Sequence, residues 1–360
     1  MQAAVCRAFK EPLVIEDVAI EPPGPGEVAV DLAACAICHS DITYAEGGWG
    51  GRLPAVYGHE AAGVVRAVGE GVTTIGPGDS VVVTLIRSCG HCGSCVQGEP
   101  VTCEAEFSRD RHSPLRRPNG DALVQGLRTG AFAESVVVDT SQVVRIPREV
   151  PFESAALLAC GVITGFGAVV NTAGLRPGAT AAIIGAGGVG LNAIQGAASS
   201  GARTVITLDV VDSKLEAARR FGATHSVNAA SPDAAEEVRR LTNGRGTDYV
   251  FVTVGAKAAF IQAFTLVARS GTIVLVGMPA TGMTVPVDPG DIAHHNLRVL
   301  GSKMGGAHIH ADIPKLVSLY QQGRLKLDEL ISGRYSLSQI NEAMASAKSG
   351  QALRNVIVFK

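Results

Sequence analysis

Residues 180–201 read TAAIIGAGGVGLNAIQGAASSG, and this stretch decides the fold of the segment around it. An apolar run of strand length is followed by a glycine-rich turn and then by a run that fits a buried helix. The same alternation continues through TVITLDV, SKLEAARRFG, YVFVTVG and TIVLVGM. Strands that alternate with helices predict βαβ units on a doubly wound parallel sheet, an α/β fold that we place at residues 163–301.

The glycine-rich turn has the spacing of a dinucleotide-binding site. Its G-x-G-x-x-G pattern consists of Gly185, Gly187, Gly188, Val189 and Gly190 with one intervening alanine. Glycines at these places permit a tight turn and a close approach of a pyrophosphate, which then lies at the N-terminus of the following helix. We therefore predict a Rossmann coenzyme domain.

An acidic residue ends the strand that follows this turn. The carboxylate of Asp209 is placed to bind the adenosine ribose hydroxyls and would repel a 2′-phosphate, so the pattern favours NAD over NADP. A simpler interpretation is that Asp209 is a turn residue at the end of a strand. Lys214, on the next helix, is a second candidate for the ribose; as a lone lysine it is equally explained as a solvated side chain.

The first part of the chain has a different texture. Residues 28–139 contain short β-rich runs separated by glycine, proline and aspartate turns, namely EVAVDLAACAI, AAGVVRAVG, DSVVVTLI and FAESVVVD. They predict an antiparallel, partly barrel-like domain. The tail returns to helices at 313–322 and near 338–348 and to a strand at 354–359. Because this tail is too short for a core of its own, we expect it to pack on the first domain, which then comprises residues 1–162 and 302–360.

Four cysteines predict a closed structural zinc site in a lobe at about residues 86–108. Their spacing is C-x2-C-x2-C-x7-C, formed by Cys89, Cys92, Cys95 and Cys103. Two-residue gaps in a turn let thiolates converge on a tetrahedral zinc, and Gly90, Gly93 and Gly98 allow the positive φ angles of such a turn. The ferredoxin cluster spacings differ from this one. His91 is surplus to four thiolates and is expected to face solvent.

Three further segments carry the remaining candidates for a second metal site. They are Cys38-His39-Ser40-Asp41, Gly58-His59-Glu60 and Cys160-Gly161. An open, catalytic zinc needs three protein ligands, and Cys38, His59 and Cys160 would supply two thiolates and an imidazole. Taken singly, a histidine such as His59 is more often a hydrogen-bonded core residue, and a cysteine such as Cys160 is more often a small buried hydrophobic residue.

Over nearly its whole length the chain resembles the zinc-containing medium-chain alcohol dehydrogenases. The resemblance rests on the segment GHEAAG at 58–63, on the four-cysteine lobe and on the glycine pattern with its acidic residue. It implies a GroES-like catalytic domain, a Rossmann domain and NAD-linked oxidation of an alcohol, with two zinc ions per subunit. Alcohol dehydrogenase is itself the known example of a catalytic zinc held by two cysteines and one histidine. The assignment of this ligand set therefore depends on that example.

The resemblance also implies roles for individual residues. Glu60 would lie behind the metal, and Asp41 would accept a hydrogen bond from His59 and fix its tautomer. Thr164 would lie beside the nicotinamide, and His39 and Arg354 would meet the pyrophosphate. Ser40 would begin the proton relay, whereas Thr43 stands where many members have a terminal relay histidine, so that the last proton step passes to water or another group.

The substrate pocket is inferred by register with the family. Its lining is expected to be mostly apolar and to suit a primary or aromatic alcohol, with Trp49, Leu85, Met278 and Lys303 as its members. Lys303 either selects an anionic substrate or points to the surface.

Composition excludes several other classes. The chain has 31 basic and 33 acidic residues and a formal charge of −2, with no basic run that would follow a phosphate backbone. Two charge-free stretches, at 154–175 and 177–202, have the length of membrane spans, but glycine, asparagine, threonine and serine interrupt both, so we interpret them as buried structure. Residues 1–11 lack the pattern of a secretory signal, so a cytoplasmic location is expected.

Two alternative functions remain open. A glutathione-dependent formaldehyde dehydrogenase would share the fold, the zinc ions and the cofactor, and the basic stretch Arg109, Arg111, Arg116 and Arg117 would then bind an anionic adduct. A non-catalytic NAD- and zinc-binding module is the alternative from another class. The long segment 104–127 resembles that of dimeric members and favours a homodimer over a tetramer.

Overall fold

The structure, a computed structural model, describes residues 1–360 and divides into two compact units. Unit 1 is Met1–Cys160 together with His308–Lys360, and unit 2 is Gly161–Ala307. The sequence placed the boundaries after residue 162 and before residue 302, a few residues from these positions.

The β-strands alternate with turns in unit 1 and with helices in unit 2. In chain order they are β1 (Gln2–Cys6), β2 (Val14–Asp17), β3 (Ala19–Ile20), β4 (Glu27–Ala36), β5 (Ala55–Val56), β6 (Glu60–Val68), β7 (Ser80–Thr84), β8 (Leu115–Arg116), β9 (Ala122–Gln125), β10 (Ser135–Asp139), β11 (Val143–Arg145), β12 (Thr180–Ile184), β13 (Thr204–Asp209), β14 (His225–Asn228), β15 (Thr247–Val252), β16 (Val267–Leu275), β17 (Arg298–Gly301), β18 (Ile331–Tyr335) and β19 (Arg354–Val358).

The α-helices range from a single turn to more than three turns. In chain order they are α1 (His39–Ala45), α2 (Gly93–Val96), α3 (Ser108–Arg111), α4 (Phe152–Leu157), α5 (Ile163–Gly167), α6 (Gly188–Ser199), α7 (Asp212–Arg220), α8 (Ala234–Leu241), α9 (Lys257–Leu266), α10 (Pro289–His294), α11 (Ile309–Gln321) and α12 (Ile340–Lys348). Two π-helical turns, Leu158–Val162 and Ala168–Thr172, flank α5.

Unit 1 is built on two sheets. One has the order β2-β1-β5-β9-β8-β3, and the other has the order β11-β7-β6-β4-β19-β18, with β10 also paired to β4. Most of these pairs are antiparallel, as the short alternating runs predicted, and the valines and alanines of β4 are almost all buried. The C-terminal strand β19 pairs antiparallel with β4, so the tail returns to this unit as expected.

Unit 2 is the doubly wound parallel sheet that the glycine-rich stretch predicted. Its order is β14-β13-β12-β15-β16-β17, and every neighbouring pair is parallel. Chain order runs outward in both directions from β12, so the turn after β12 lies at the point where a ligand crevice forms in such sheets. Ile183, Ile206 and Phe251 have no exposed surface, as strands covered on both faces require.

The two charge-free stretches are parts of these units. The first lies largely in Phe152–Thr172, a helical stretch long and apolar enough to cross a membrane, but 78% of its apolar window is buried inside the protein, as in an ordinary core helix. The second is β12, the glycine turn and α6.

Candidate metal and cofactor sites

The pairing of β4, β6 and β7 brings the candidate metal ligands to one end of a sheet in unit 1. Ala36, the last residue of β4, lies opposite Glu60, the first residue of β6, and Glu60 lies opposite Thr84, the last residue of β7. Cys38 follows β4 by two residues, and His59 directly precedes β6. Strand register therefore places Cys38 beside His59 although the sequence separates them.

Cys160, on the π-helical turn after α4, completes the cluster. The candidate ligand atoms of Cys38, His59, Glu60 and Cys160 all lie within 4.8 Å of one another. All four residues are buried, and His59 and Glu60 have 0% relative exposure. Because zinc ligands lie about 2.0–2.3 Å from the ion, tetrahedral ligands are roughly 4 Å apart. The cluster has the dimensions of a metal site.

Asp41, on α1, ties the two loops that carry Cys38 and His59. Its Oδ2 accepts a hydrogen bond from the backbone N–H of Cys38 at 2.9 Å, and its Oδ1 accepts one from the backbone N–H of Gly58 at 3.0 Å. The same Oδ1 lies 3.0 Å from Nδ1 of His59. An ionised carboxylate only accepts hydrogen bonds, so Nδ1 carries the proton and Nε2 is left with a lone pair.

That lone pair tests whether the cluster fits zinc. Nε2 of His59 is buried and has no hydrogen-bond partner. A buried polar atom left unsatisfied costs about 1–3 kcal/mol of stability, and a metal ion bound at this nitrogen would remove that cost. Two cysteine sulfurs and one imidazole nitrogen are the donor set that an open zinc site uses. The residues present fit the metal.

The charges of the cluster favour a cation. A hydrogen bond from Cys160 lowers the pKa of Cys38 far below that of a free thiol, and the same bond raises the pKa of Cys160. Burial opposes a charge on His59, but the Asp41 carboxylate outweighs it and raises the pKa of the imidazole. A metal ion binds the thiolate form of cysteine and the neutral form of histidine, so its binding here would release protons.

Glu60 and Arg354 form a buried ion pair beside the sulfurs. Nη2 of Arg354 donates to Oε2 of Glu60 at 2.5 Å, and the two side chains are 6% and 0% exposed. Burial raises the pKa of Glu60 to about 7, against the opposing charge of Arg354. Oε1 of Glu60 is buried with no partner, so this carboxylate keeps one free oxygen among the ligand atoms.

The four cysteines of the lobe form a second cluster. The sulfurs of Cys89, Cys92, Cys95 and Cys103 lie within 4.8 Å of one another and are only half-buried. Backbone N–H groups point at them: that of Cys92 is 3.3 Å from Sγ of Cys89, and that of Glu104 is 3.4 Å from Sγ of Cys92. The bond from Glu104 is the main reason why the pKa of Cys92 falls to about 6. Such bonds favour thiolates, which are the form that binds zinc.

The sequence predicted the backbone angles of three glycines in the lobe and the exposure of its histidine. Gly90 and Gly98 have positive φ angles of 77° and 84°, as expected. The expectation for Gly93 was wrong: it is the first residue of α2, where helical φ is needed instead. His91 is exposed and its Nδ1 lies 2.9 Å from the carbonyl of Cys89, so it remains outside the sulfur cluster.

The glycine turn of unit 2 is held by side chains from neighbouring strands. Oδ2 of Asp209 accepts from the backbone N–H of Ala186 at 2.7 Å, and Oδ1 accepts from that of Val211 at 3.0 Å. The hydroxyl of Thr253 lies 3.0 Å from the carbonyl of Gly185. Asp209 therefore lies at the turn, and its bond to Val211 is that of the turn residue considered as the alternative.

Two glycines of the pattern have clear physical reasons. A Cβ on Gly190 would lie 1.8 Å from the carbonyl oxygen of Gly185, so only glycine lets the helix approach the turn. A Cβ on Gly187 would meet nothing within 4 Å, so the backbone at the N-terminus of α6 faces open space. That is the arrangement in which a helix N-terminus receives a phosphate group.

Comparisons with known proteins agree with this geometry. Residues 24–148 match the family model for the alcohol dehydrogenase GroES-like domain, and residues 188–322 match that for zinc-binding dehydrogenases. Alcohol dehydrogenase B of Mycobacterium tuberculosis is 37% identical over 99% of this chain and 98% of its own length. The chain belongs to the zinc-containing alcohol dehydrogenase family.

Two further relatives of this family differ in their named activities. An NDMA-dependent alcohol dehydrogenase of Amycolatopsis methanolica is 36% identical over 99% of this chain and 98% of its own. The crystal structure of benzyl alcohol dehydrogenase from Acinetobacter calcoaceticus aligns with a TM-score of 0.93 and 30% identity, covering 100% of this chain and 99% of that one. The name of the first gives a compound on which its activity depends, and the name of the second gives an alcohol.

The other predicted site residues of this dehydrogenase lie on both units. In unit 1, His39 is exposed, and Ser40 and Thr43 are half-buried. Thr164 and Lys214 belong to unit 2. Arg354, predicted to meet the pyrophosphate, instead contacts Glu60; its contact with a cofactor stays a prediction.

The predicted pocket residues are also divided between the units. Trp49 and Leu85 are half-buried in unit 1, whereas Met278 and Lys303 are exposed in unit 2. Met278 has 67% relative exposure. Their convergence on one substrate stays a prediction.

Sequence reasoning missed two polar residues near the clusters. Thr84 donates its hydroxyl to the carbonyl of Ala159, the residue before Cys160, at 2.7 Å. Arg87, two residues before the first lobe cysteine, is 2% exposed and bonds Asp110 at 2.5 Å while its guanidinium lies 4.0 Å from the ring centre of Phe107. Neither contact has a sequence signal, because the partners are far apart or carry no motif.

Proposed function

We propose that this chain is a zinc-dependent alcohol dehydrogenase that transfers hydride between a primary or aromatic alcohol and NAD. The observation that carries the proposal is the buried set of Cys38, His59 and Cys160, in which Nε2 of His59 has no partner. A four-cysteine lobe has no position left for a substrate, whereas three ligands leave one open. We infer two zinc ions per chain, one structural and one catalytic.

The chain's own residues prepare the catalytic site in three ways. A zinc ion bound there would supply the positive charge that lowers the pKa of an alcohol, and NAD would accept the hydride. Asp41 holds the His59 tautomer that presents Nε2 to the metal. Arg354 keeps the nearby Glu60 in place by a buried ion pair. All of these groups are buried, so their charges interact away from bulk water.

Removal of the alcohol proton needs a path out of the buried site. Ser40, next to the ligand segment and half-buried, is our candidate for its first hydroxyl. Thr43 donates its own hydroxyl to the carbonyl of His39 at 3.0 Å, one turn earlier in α1. A threonine hydroxyl is no base near neutral pH, so the proton leaves through water or another group.

The choice of NAD rests on Asp209. Its carboxylate lies at the glycine turn, and a negative charge at the end of β13 disfavours the 2′-phosphate of NADP. Gly185, Gly187, Gly188, Val189 and Gly190 would hold the pyrophosphate. Because one relative is named for NDMA, that compound belongs among the acceptors that we would test.

The arginine-rich stretch speaks against the glutathione-linked alternative. Arg109 pairs with Glu21 and Glu27, and Arg117 pairs with Glu16. The two others also have carboxylate partners, Arg111 with Glu106 and Arg116 with Glu21. Arg109, the least exposed of the four, would have to break its pair with the buried Glu27 before it bound an anionic adduct, so this part of the stretch is a poor receptor.

A substrate and acceptor panel tests the function. We expect oxidation of primary and aromatic alcohols with NAD, and little with NADP, in protein that contains zinc. Formaldehyde oxidised only in the presence of glutathione would support the alternative dehydrogenase. A protein that binds NAD and zinc but oxidises no alcohol with any acceptor would overturn the proposal in favour of a non-catalytic module.

We also propose a homodimer in the cytoplasm. The edge strand β17 pairs only with β16, so its other edge leaves N–H and C=O groups that a strand of a second chain would pair with. Sedimentation of the purified protein would give the mass of two chains; a tetramer would refute this assignment.

A further inference from the structure

Thr84, the last residue of β7, is a buried polar residue that the function described so far does not use. It has 0% relative exposure. Its backbone carbonyl accepts a hydrogen bond from Nε2 of Gln142 at 2.8 Å, and Gln142 is itself 1% exposed. Gln142 therefore holds the backbone of Thr84, which lies directly opposite Glu60 on the neighbouring strand.

The hydroxyl of Thr84 contacts the turn that carries Cys160. It donates to the carbonyl oxygen of Ala159 at 2.7 Å, across 75 residues of sequence. Ala159 and Cys160 lie within the π-helical turn Leu158–Val162. A donor from outside the helix thus reaches a carbonyl inside this turn. Wide turns of this kind are rare and mark functional sites.

The bond ties the backbone beside Cys160 to the end of β7. Ala159 is 0% exposed, so its carbonyl has no access to water and depends on a protein donor. Cys160 is the next residue, and Thr84 stands on the same sheet end as Cys38 and His59. This hydroxyl thus bonds the sheet that carries two predicted ligands to the turn that carries the third.

We propose that Thr84 is a positioning residue of the metal site. Its hydroxyl holds the backbone of Ala159 so that the sulfur of Cys160 lies beside the sulfur of Cys38 and the imidazole of His59. This inference rests on the proposed zinc site. The hydroxyl lowers the cost of organising the third ligand, so its loss weakens metal binding without removing a ligand.

Zinc affinity of the holoenzyme tests this inference. Thr84→Val keeps the shape and removes the hydroxyl, and Thr84→Ser keeps the hydroxyl. Thr207→Val is the matched control, because Thr207 is a buried threonine in β13 whose hydroxyl has no partner. Zinc would be titrated away with a chromophoric chelator, and cobalt-substituted protein would report the coordination geometry through its visible spectrum.

We expect Thr84→Val to bind the zinc ion of the buried cluster about 10-fold less tightly, with an altered cobalt spectrum, since residues that orient ligands affect affinity by about 10- to 100-fold. The affinity of Thr84→Val for the lobe zinc should equal that of the wild type. Thr84→Ser and Thr207→Val should have the zinc affinities and the cobalt spectrum of the wild type. Should valine impair folding, Thr84→Ser and Thr84→Ala differ only in the hydroxyl and give the same comparison.

Two results would overturn the inference. One is a Thr84→Val or Thr84→Ala protein with wild-type zinc affinity and cobalt spectrum; the other is an equal loss in Thr207→Val. A wild-type chain that holds zinc only in its lobe would instead refute the proposed function, so the two failures are distinguishable.

Discussion

Replacement of Asp41 by asparagine probes the residue on which both ligand loops depend. Asp41 accepts hydrogen bonds from the backbone of Cys38 and Gly58 and from His59, all between 2.9 and 3.0 Å. An asparagine offers one acceptor oxygen in place of two. In either orientation its NH2 group faces a backbone N–H, of Cys38 or of Gly58.

The expected cost follows from these contacts. A hydrogen bond to a charged group contributes about 1.5–3 kcal/mol, and at least one is lost and replaced by a repulsive contact. In the orientation that faces His59, the amide also favours the tautomer with a proton on Nε2, which cannot bind a metal. We therefore expect Asp41→Asn to weaken zinc binding at the buried site by about 10- to 100-fold.

A chelator competition on the purified protein measures this change, with circular dichroism to verify the fold. Asp31→Asn is the control, because Asp31 is 52% exposed and its ion pair with Arg66 lies at the surface. Surface pairs contribute about 1 kcal/mol or less, so this variant should behave as wild type. If Asp41→Asn held both zinc ions as tightly as the wild type, the role of Asp41 in holding the two ligand loops would be refuted.

Three further changes test other parts of the molecule. Burial raises the pKa of Glu27, but hydrogen bonds from Arg109 and a backbone N–H lower it below the usual value; Arg109→Met should thus cost about 3 kcal/mol of unfolding free energy above pH ~5. That loss should shrink as pH falls through the pKa of Glu27, and a pH-independent loss in denaturant titrations would contradict the pairing. Gly190→Ala puts a Cβ 1.8 Å from the carbonyl of Gly185 and should abolish NAD binding in fluorescence titrations; unchanged binding would refute the turn's role. Asp209→Asn should lower the ratio of kcat/KM for NAD to that for NADP, and a constant ratio would show that Asp209 is only a turn residue.

Local patterns in the sequence predicted the architecture well. The glycine turn, the parallel sheet and the sulfur cluster of the lobe depend on residues that are close in sequence, so their spacing carries the geometry. The start of β19 at Arg354 also follows from such a pattern.

The sequence did not predict the contacts that depend on strand register. Nothing near Thr84 in the sequence indicates that β7 ends opposite Glu60 or beside Ala159. In the same way, the pairing of β19 with β4 places Arg354 against Glu60, a contact between residues 294 positions apart. A one-residue change of register would reverse the face of each side chain, and sequence periodicity alone does not fix that register.

Metal analysis of the wild type and of Cys160→Ser is the most direct test of the account. Mass spectrometry under native conditions counts the zinc ions on each folded chain. We predict two zinc ions on the wild type and one on Cys160→Ser, with loss of alcohol oxidation and retention of the lobe zinc. A variant that keeps both zinc ions and its activity would contradict the claim that Cys38, His59 and Cys160 share a metal.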